Sequence, residues 1–164
     1  PGSRRAVQAL HWVADFSASP MESCLMLLLC LPMRLGGFGL PLPELNVRPD
    51  KTTQSRAIAG SKDIFSDLYW RIGKIALEYD SVEEHAGRDR IARDSKKRVM
   101  YSAANIQCIT VTNEQIKDTE ELMKVARLVA RALGRRIRNA DLAFRRRHAA
   151  LRKRLFAFTR TSTT

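Results

Sequence analysis

Acidic residues set among strand-forming residues are the feature of this sequence best suited to chemistry. Residues 74–80 alternate as a strand does, so Glu78 and Asp80 share one face, roughly 6.6 Å apart at the usual rise. Asp67 opens the preceding apolar run, and it would lie beside them if the two strands pair. Crowded carboxylates have raised pKa values unless a positive charge joins them. A hard divalent cation, Mg²⁺ or Mn²⁺, would supply that charge. The alternative is that these acids lie on a solvated sheet face.

The elements that must position these acids follow from hydrophobic periodicity and turn residues. The order is helix, helix, three strands, helix, strand and helix, which indicates an α/β fold. The helices are predicted at 4–16, 19–31, 87–105 and 119–133, and the strands near 45–47 and at 64–70, 74–80 and 106–112. The third helix is long enough for a crossover, so we expect the last two strands to be parallel.

Net charge and cysteine usage limit the class of protein. The formal charge of +12 favours an anionic partner, either nucleic acid or a membrane surface. The three cysteines lack metal-ligand spacing, and we expect them to be buried and reduced in a cytoplasmic protein. The apolar run 24–33 is too short to cross a bilayer, so we expect no membrane span and no signal peptide. Because the first residue is Pro1, we expect a piece of a longer protein.

The composition becomes strongly basic after Gly134. Apolar residues in this segment keep a near-heptad spacing, which predicts one basic amphipathic helix over 135–164. Three interpretations stay open: a clamp on the DNA backbone, a helix on a membrane surface, and a helix docked on the domain with a solvated basic face. The chain then divides into an N-terminal extension (1–18), a central domain (19–134) and the basic helix (135–164).

Several motifs in the same order resemble a known family. The strand pair SDLYW and KIALEYDS, His85, the helix DRIARDSKKR and the strand IQCITVT resemble the very-short-patch-repair-like (Vsr-like) branch of the PD-(D/E)xK restriction-endonuclease-like superfamily. The resemblance covers about residues 19–133. It implies a restriction-endonuclease-like mixed β-sheet flanked by helices, with Mg²⁺ at the sheet edge.

The resemblance also implies roles for individual residues. The implied catalytic residues are Glu22, Asp67, Glu78 and His85, with Asp67 and Glu78 as metal ligands. Asp80, on the same strand face as Glu78, is a further candidate for both roles. The residues expected to contact DNA are Arg88, Arg90, Lys96, Lys97, Arg135, Arg136, Arg145 and Arg146. The sequence departs from the family pattern where Ser66 replaces a proline and Asp80 replaces the usual lysine.

Two functions follow from the resemblance and its departures. The first is a metal-dependent DNA endonuclease that hydrolyses phosphodiester bonds. The second is a nuclease-fold DNA-binding module without catalysis, part of a larger defence or regulatory protein.

Overall fold

The computed structural model describes residues 19–49, 65–80, 88–137 and 141–161, with the backbone alone described at 88–93 and 158–161. The helices are α1 (Pro20–Cys30), α2 (Arg88–Ala103), α3 (Asn113–Lys117), α4 (Thr119–Ala132) and α5 (Leu142–Thr161), and a short 3-10 helix spans Met33–Leu35. The strands are β1 (Glu44–Val47), β2 (Ser66–Trp70), β3 (Ile75–Asp80) and β4 (Gln107–Thr112). The predicted helix at 4–16 and the predicted loop at 49–61 lie outside the described residues, apart from Pro49.

The four strands form one sheet in the order β1-β2-β3-β4. β1 and β2 are antiparallel, β2 and β3 are antiparallel, and β3 and β4 are parallel. Parallel neighbours require a crossover connection, and α2 lies in it. The predicted α/β class and partly parallel sheet are therefore confirmed.

The alternation in β3 separates two apolar clusters. Ile75 and Leu77 belong to the larger cluster, which includes the buried residues of α1 and α4. Ala76 belongs with Tyr69 to a smaller cluster formed with Met100 and Tyr101 of α2. Side chains on successive strand residues point to opposite faces, so the sheet has helices on both sides.

The turn after α1 brings the chain against α5. Gly36 has φ 97°, a left-handed conformation that favours glycine. A Cβ built at Gly36 would lie 2.6 Å from the carbonyl oxygen of Arg147, so the backbones of the turn and of α5 are in direct contact. A side chain at position 36 would force the two segments apart.

The C-terminal helix is docked on the rest of the chain. Phe144 is buried, and its ring centroid lies 5.3 Å from that of Phe38. Leu151 and Leu155 pack against the same large cluster. The structure therefore shows that this helix is docked on the rest of the chain, and contact of its basic face with DNA stays a prediction.

Two details of the helices differ from the sequence prediction. α5 begins at Leu142, where Asp141 Oδ1 accepts a hydrogen bond of 2.7 Å from the Phe144 N–H, so Arg135 and Arg136 precede the helix. α3 was not predicted; it is a single short helix started by a capping box between Thr112 and Gln115. Within the described part of the chain, no helix has the length and apolar character that crossing a membrane requires.

Candidate acidic site

Asp67 and Glu78 are neighbours across the antiparallel strands β2 and β3. The register pairs Leu68 with Leu77, so the next residues outward, Asp67 and Glu78, lie opposite each other. Opposite residues in such a pair have Cβ atoms about 5 Å apart. The charge of Asp67 raises the pKa of Glu78, so the two carboxyls are electrostatically coupled. The sequence prediction that these acids come together agrees with this geometry.

The Asp67 carboxyl is held by the backbone of the neighbouring strand. Its Oδ2 accepts a hydrogen bond of 2.7 Å from the Tyr79 N–H. Burial raises the pKa of Asp67, the Tyr79 hydrogen bond opposes that rise, and the nearby charge of Glu22 adds to it. Burial and a second acid therefore work against ionisation of Asp67, as expected for crowded carboxylates.

Glu78 is bound by two side chains from one face of α2. Lys97 Nζ lies 2.5 Å from Glu78 Oε2, and the Tyr101 hydroxyl donates to Glu78 Oε1. Burial raises the pKa of Glu78 to about 6, although Lys97 lowers it. Burial and the contact with Glu78 also raise the pKa of Tyr101, which therefore keeps its proton and remains a donor.

A cavity of about 170 Å³ opens beside Glu78 between β3, β4 and α2. Its lining residues are Glu78, Tyr79, Asp80, Asp94, Lys97, Arg98, Tyr101, Cys108 and Thr110. The cavity is therefore lined by carboxylates and by two cationic side chains, Lys97 and Arg98. Cys108, expected to be buried, is only partly so. Burial raises its pKa to about 12, so in the metal-free protein its thiol stays protonated near neutral pH and is a poor nucleophile.

Glu22 lies near the pair but is bound to other groups. It is buried, and its Oε2 accepts a hydrogen bond of 3.2 Å from Asn46 Nδ2. Its backbone N–H donates to the Ser19 hydroxyl, which caps the N-terminus of α1. Because its charge acts on Asp67, Glu22 stands within electrostatic reach of the site.

The donors present have the chemistry that a hard divalent cation requires. Asp67 and Glu78 offer adjacent carboxylate oxygens, the ligands that Mg²⁺ prefers. Within the ranges that the structure describes, however, no three His, Cys, Asp or Glu side chains are grouped so that they could hold a metal ion. The two-carboxylate set fits Mg²⁺ if water or a phosphate oxygen completes the coordination.

The other residues predicted for the site are dispersed or fall outside the description. His85 and the side chains of Arg88 and Arg90 lie outside the described residues. Lys96 is exposed on α2, and Arg145 pairs with Glu120 of α4.

Sequence reasoning did not find the two contacts to Glu78. Lys97 was predicted only as a DNA contact, and Tyr101 was given no role. They stand four residues apart on α2, a spacing that puts both on one helix face. Because this helix connects β3 to β4, the four-residue spacing was the sequence feature that could have indicated both contacts with Glu78.

Comparison with known proteins adds nothing to this description. No family model, no curated protein and no solved structure matches the chain.

Proposed function

We propose that this protein is a metal-dependent DNA endonuclease of restriction-endonuclease-like fold, with its active site at Asp67 and Glu78. The observation that carries the proposal is the juxtaposition of these two partly buried carboxyls, both with raised pKa values. Glu78 also lines a cavity together with Lys97 and Arg98. Crowding of this kind costs stability unless a cation joins the pair, so it is typical of functional sites.

Each group at the site has a definite task in this proposal. Asp67 and Glu78 would hold one Mg²⁺ or Mn²⁺ ion, which supplies a water of lowered pKa and neutralises charge on the scissile phosphate. Tyr101 holds the Glu78 carboxylate in place through its hydroxyl. The Lys97 ammonium offers a positive charge in the same cavity, although the strand position of the family lysine is occupied by Asp80.

The proposed substrate is DNA, and the proposed location is the cytoplasm. The net charge of +12 supports a phosphate-rich partner. Cys24, Cys30 and Cys108 are free thiols, which supports a reducing compartment.

Nicking of a supercoiled plasmid in Mg²⁺ or Mn²⁺ tests the proposal. We expect Asp67→Asn and Glu78→Gln to cut at least about 100-fold more slowly than the wild type, because each removes a charged ligand of the metal. Glu114→Gln is the matched control, since Glu114 is an exposed acid that pairs with Lys117 on α3. Wild-type rates in the Asp67→Asn protein would exclude this active site.

One observation favours a second function, a DNA-binding module without catalysis. Both oxygens of Glu78 are already bound, by Lys97 and by Tyr101, so the protein itself neutralises this carboxyl. Lys97→Met separates the two functions. If the protein is a nuclease, the substitution frees the Glu78 carboxylate to bind the metal. Mg²⁺ should then raise the thermal unfolding midpoint of the variant more than that of the wild type. In the inactive module Mg²⁺ has no effect on either protein, and DNA binding persists without cleavage.

A further inference from the structure

Four arginines line a cavity at the C-terminal end of α4. The cavity has a volume of about 700 Å³, and its lining residues are Arg127, Ala130, Arg131, Gly134, Arg135, Arg136 and Ile137. All four arginines are exposed. We call this feature the arginine cavity.

The arginine cavity concentrates positive charge. Two other exposed cations have acidic partners: Lys117 pairs with Glu114, and Lys124 pairs with Glu121. Within the described part of the chain, no carboxylate forms an ion pair with any arginine of the cavity. Like charges four residues apart on a helix, as at Arg127 and Arg131, repel each other and destabilise the helix. An anion bound among the four guanidinium groups would relieve this repulsion.

The backbone fixes the arginines on two sides of the cavity. Arg127 and Arg131 lie on α4, whereas Arg135 and Arg136 follow its end. Gly134 takes a left-handed conformation with φ 65°, and the Arg135 N–H donates to the Ala130 carbonyl at 2.7 Å. This closure is the usual C-terminal stop of a helix, and it turns the chain back at a defined angle. The backbone thus places guanidinium groups on two sides of one cavity, and guanidinium groups suit bidentate binding of phosphate oxygens.

The arginine cavity is remote from the acidic pair. A Cβ built on Gly73, in the turn between β2 and β3, would lie 3.0 Å from the Ala132 carbonyl oxygen, so this end of α4 sits beside that turn. Glu78 lies five residues further along β3, about 17 Å away at the usual strand rise. A phosphate bound in the cavity is therefore held without being brought to Asp67 and Glu78.

We propose that the arginine cavity is a second binding site for the phosphates of a nucleic-acid backbone, separate from the site proposed for cleavage. Its residues offer charge and guanidinium donors, and the described lining has no aromatic or amide side chain to recognise a base. This favours contact with the backbone over recognition of a nucleotide. The site holds a duplex by its phosphates whether or not the acidic pair cuts it.

Fluorescence anisotropy with a labelled 20-base-pair duplex in EDTA measures duplex binding without metal-dependent cleavage, and the variants below isolate the contribution of the arginine cavity. The variant is Arg131→Gln with Arg135→Gln, and the control is Lys117→Gln with Lys124→Gln, which removes the same charge from cations already paired with acids. We expect the arginine variant to bind at least tenfold more weakly, with a slope of log affinity against log salt smaller by about two. The control should bind within twofold of the wild type. Circular dichroism checks that both proteins are folded.

Two results would overturn the proposal. One is an equal loss of affinity in the arginine variant and in the control, which would mean that only net charge matters. The other is wild-type duplex binding by the arginine variant together with loss of its binding to inorganic tripolyphosphate, which would make the cavity a site for small anions. Neither result depends on plasmid cleavage, so failure of the nuclease proposal remains distinguishable from failure of this one.

Discussion

Burial makes the Glu78 carboxyl harder to ionise in the folded protein. The Glu78 side chain is only 12% exposed, and burial raises its pKa from the ordinary 4.5 to about 6. The folded protein therefore holds this proton more tightly than the unfolded chain does. The stability that Glu78 contributes is full below pH 4.5 and is lost as the pH rises through 6.

Replacement of Glu78 should remove this pH dependence. We expect the unfolding free energy of the wild type to fall by about 2 kcal/mol relative to that of Glu78→Gln between pH 4.5 and pH 7, in the absence of divalent ions. Urea unfolding at a series of pH values measures the difference. Glu114→Gln, which removes an exposed acid, should follow the wild type across the range. A constant difference between wild type and Glu78→Gln would mean that Glu78 ionises normally.

The sequence predicted the position of the acidic pair but not its protein partners. The pair follows from alternation along β3 and from antiparallel pairing with β2, and both are local properties of the chain. The contact of Lys97 with Glu78 depends instead on how α2 is rotated over the sheet. That rotation is set by packing of Met100 and Tyr101 against the sheet residues of the smaller cluster. Spacing along the helix alone does not determine it.

His148 is the point where α5 is attached to the turn after α1. The side chain is fully buried, and its Nδ1 lies 2.7 Å from the Gly36 carbonyl oxygen. Its Nε2 is buried without a hydrogen-bond partner among the described residues. A protonated ring would place a charge and an unsatisfied N–H in this apolar contact with Phe38 and Phe144. The neutral ring, with Nδ1–H donating to Gly36, is the form that fits.

Acid should therefore loosen the attachment of α5. Burial lowers the pKa of His148 from the ordinary 6.5, and the charge of Arg152 lowers it further. A depressed folded-state pKa means that this stability is full above pH 6.5 and is lost as the pH falls below it. We expect amide exchange in α5, corrected for intrinsic rates, to accelerate between pH 7.5 and pH 5 in the wild type. His148→Gln has no titrating ring and should show no such change; the same acceleration in that variant would assign it to another group.

The elements with strong periodicity were predicted well, and the exceptions have physical causes. β2, β3, β4, α1, α2 and α4 each match a predicted segment to within about two residues. The start of α5 was predicted too early because arginine favours helices wherever it stands. The Gly134 closure and the Asp141 cap determine where α4 ends and α5 begins. Each of these signals is a single residue, so a prediction based on the average composition of the segment does not detect it.

Across the whole molecule, α5 has two different surfaces. Its apolar residues complete the large core, where Phe144 is 1% exposed. Its exposed cations point away from that core, among them Arg146, Lys153 and Arg154. The apolar stripe that would enter a membrane is thus already used inside the protein, so the basic face is the part of α5 available to a partner.

The two surfaces of α5 can be tested separately. Phe144→Ala leaves a cavity against Phe38 and should lower the unfolding free energy by about 3–5 kcal/mol, measured by urea unfolding. Arg146→Gln with Arg154→Gln changes only exposed groups and should alter stability by less than about 0.5 kcal/mol. The same double variant should weaken duplex binding and reduce its salt dependence. If Phe144→Ala were as stable as the wild type, α5 would be an appendage rather than part of the core. If the Arg146→Gln with Arg154→Gln variant bound DNA as tightly as the wild type, the basic face of α5 would be only a solvated surface. The duplex would then contact another part of the protein, and the arginine cavity is the first candidate.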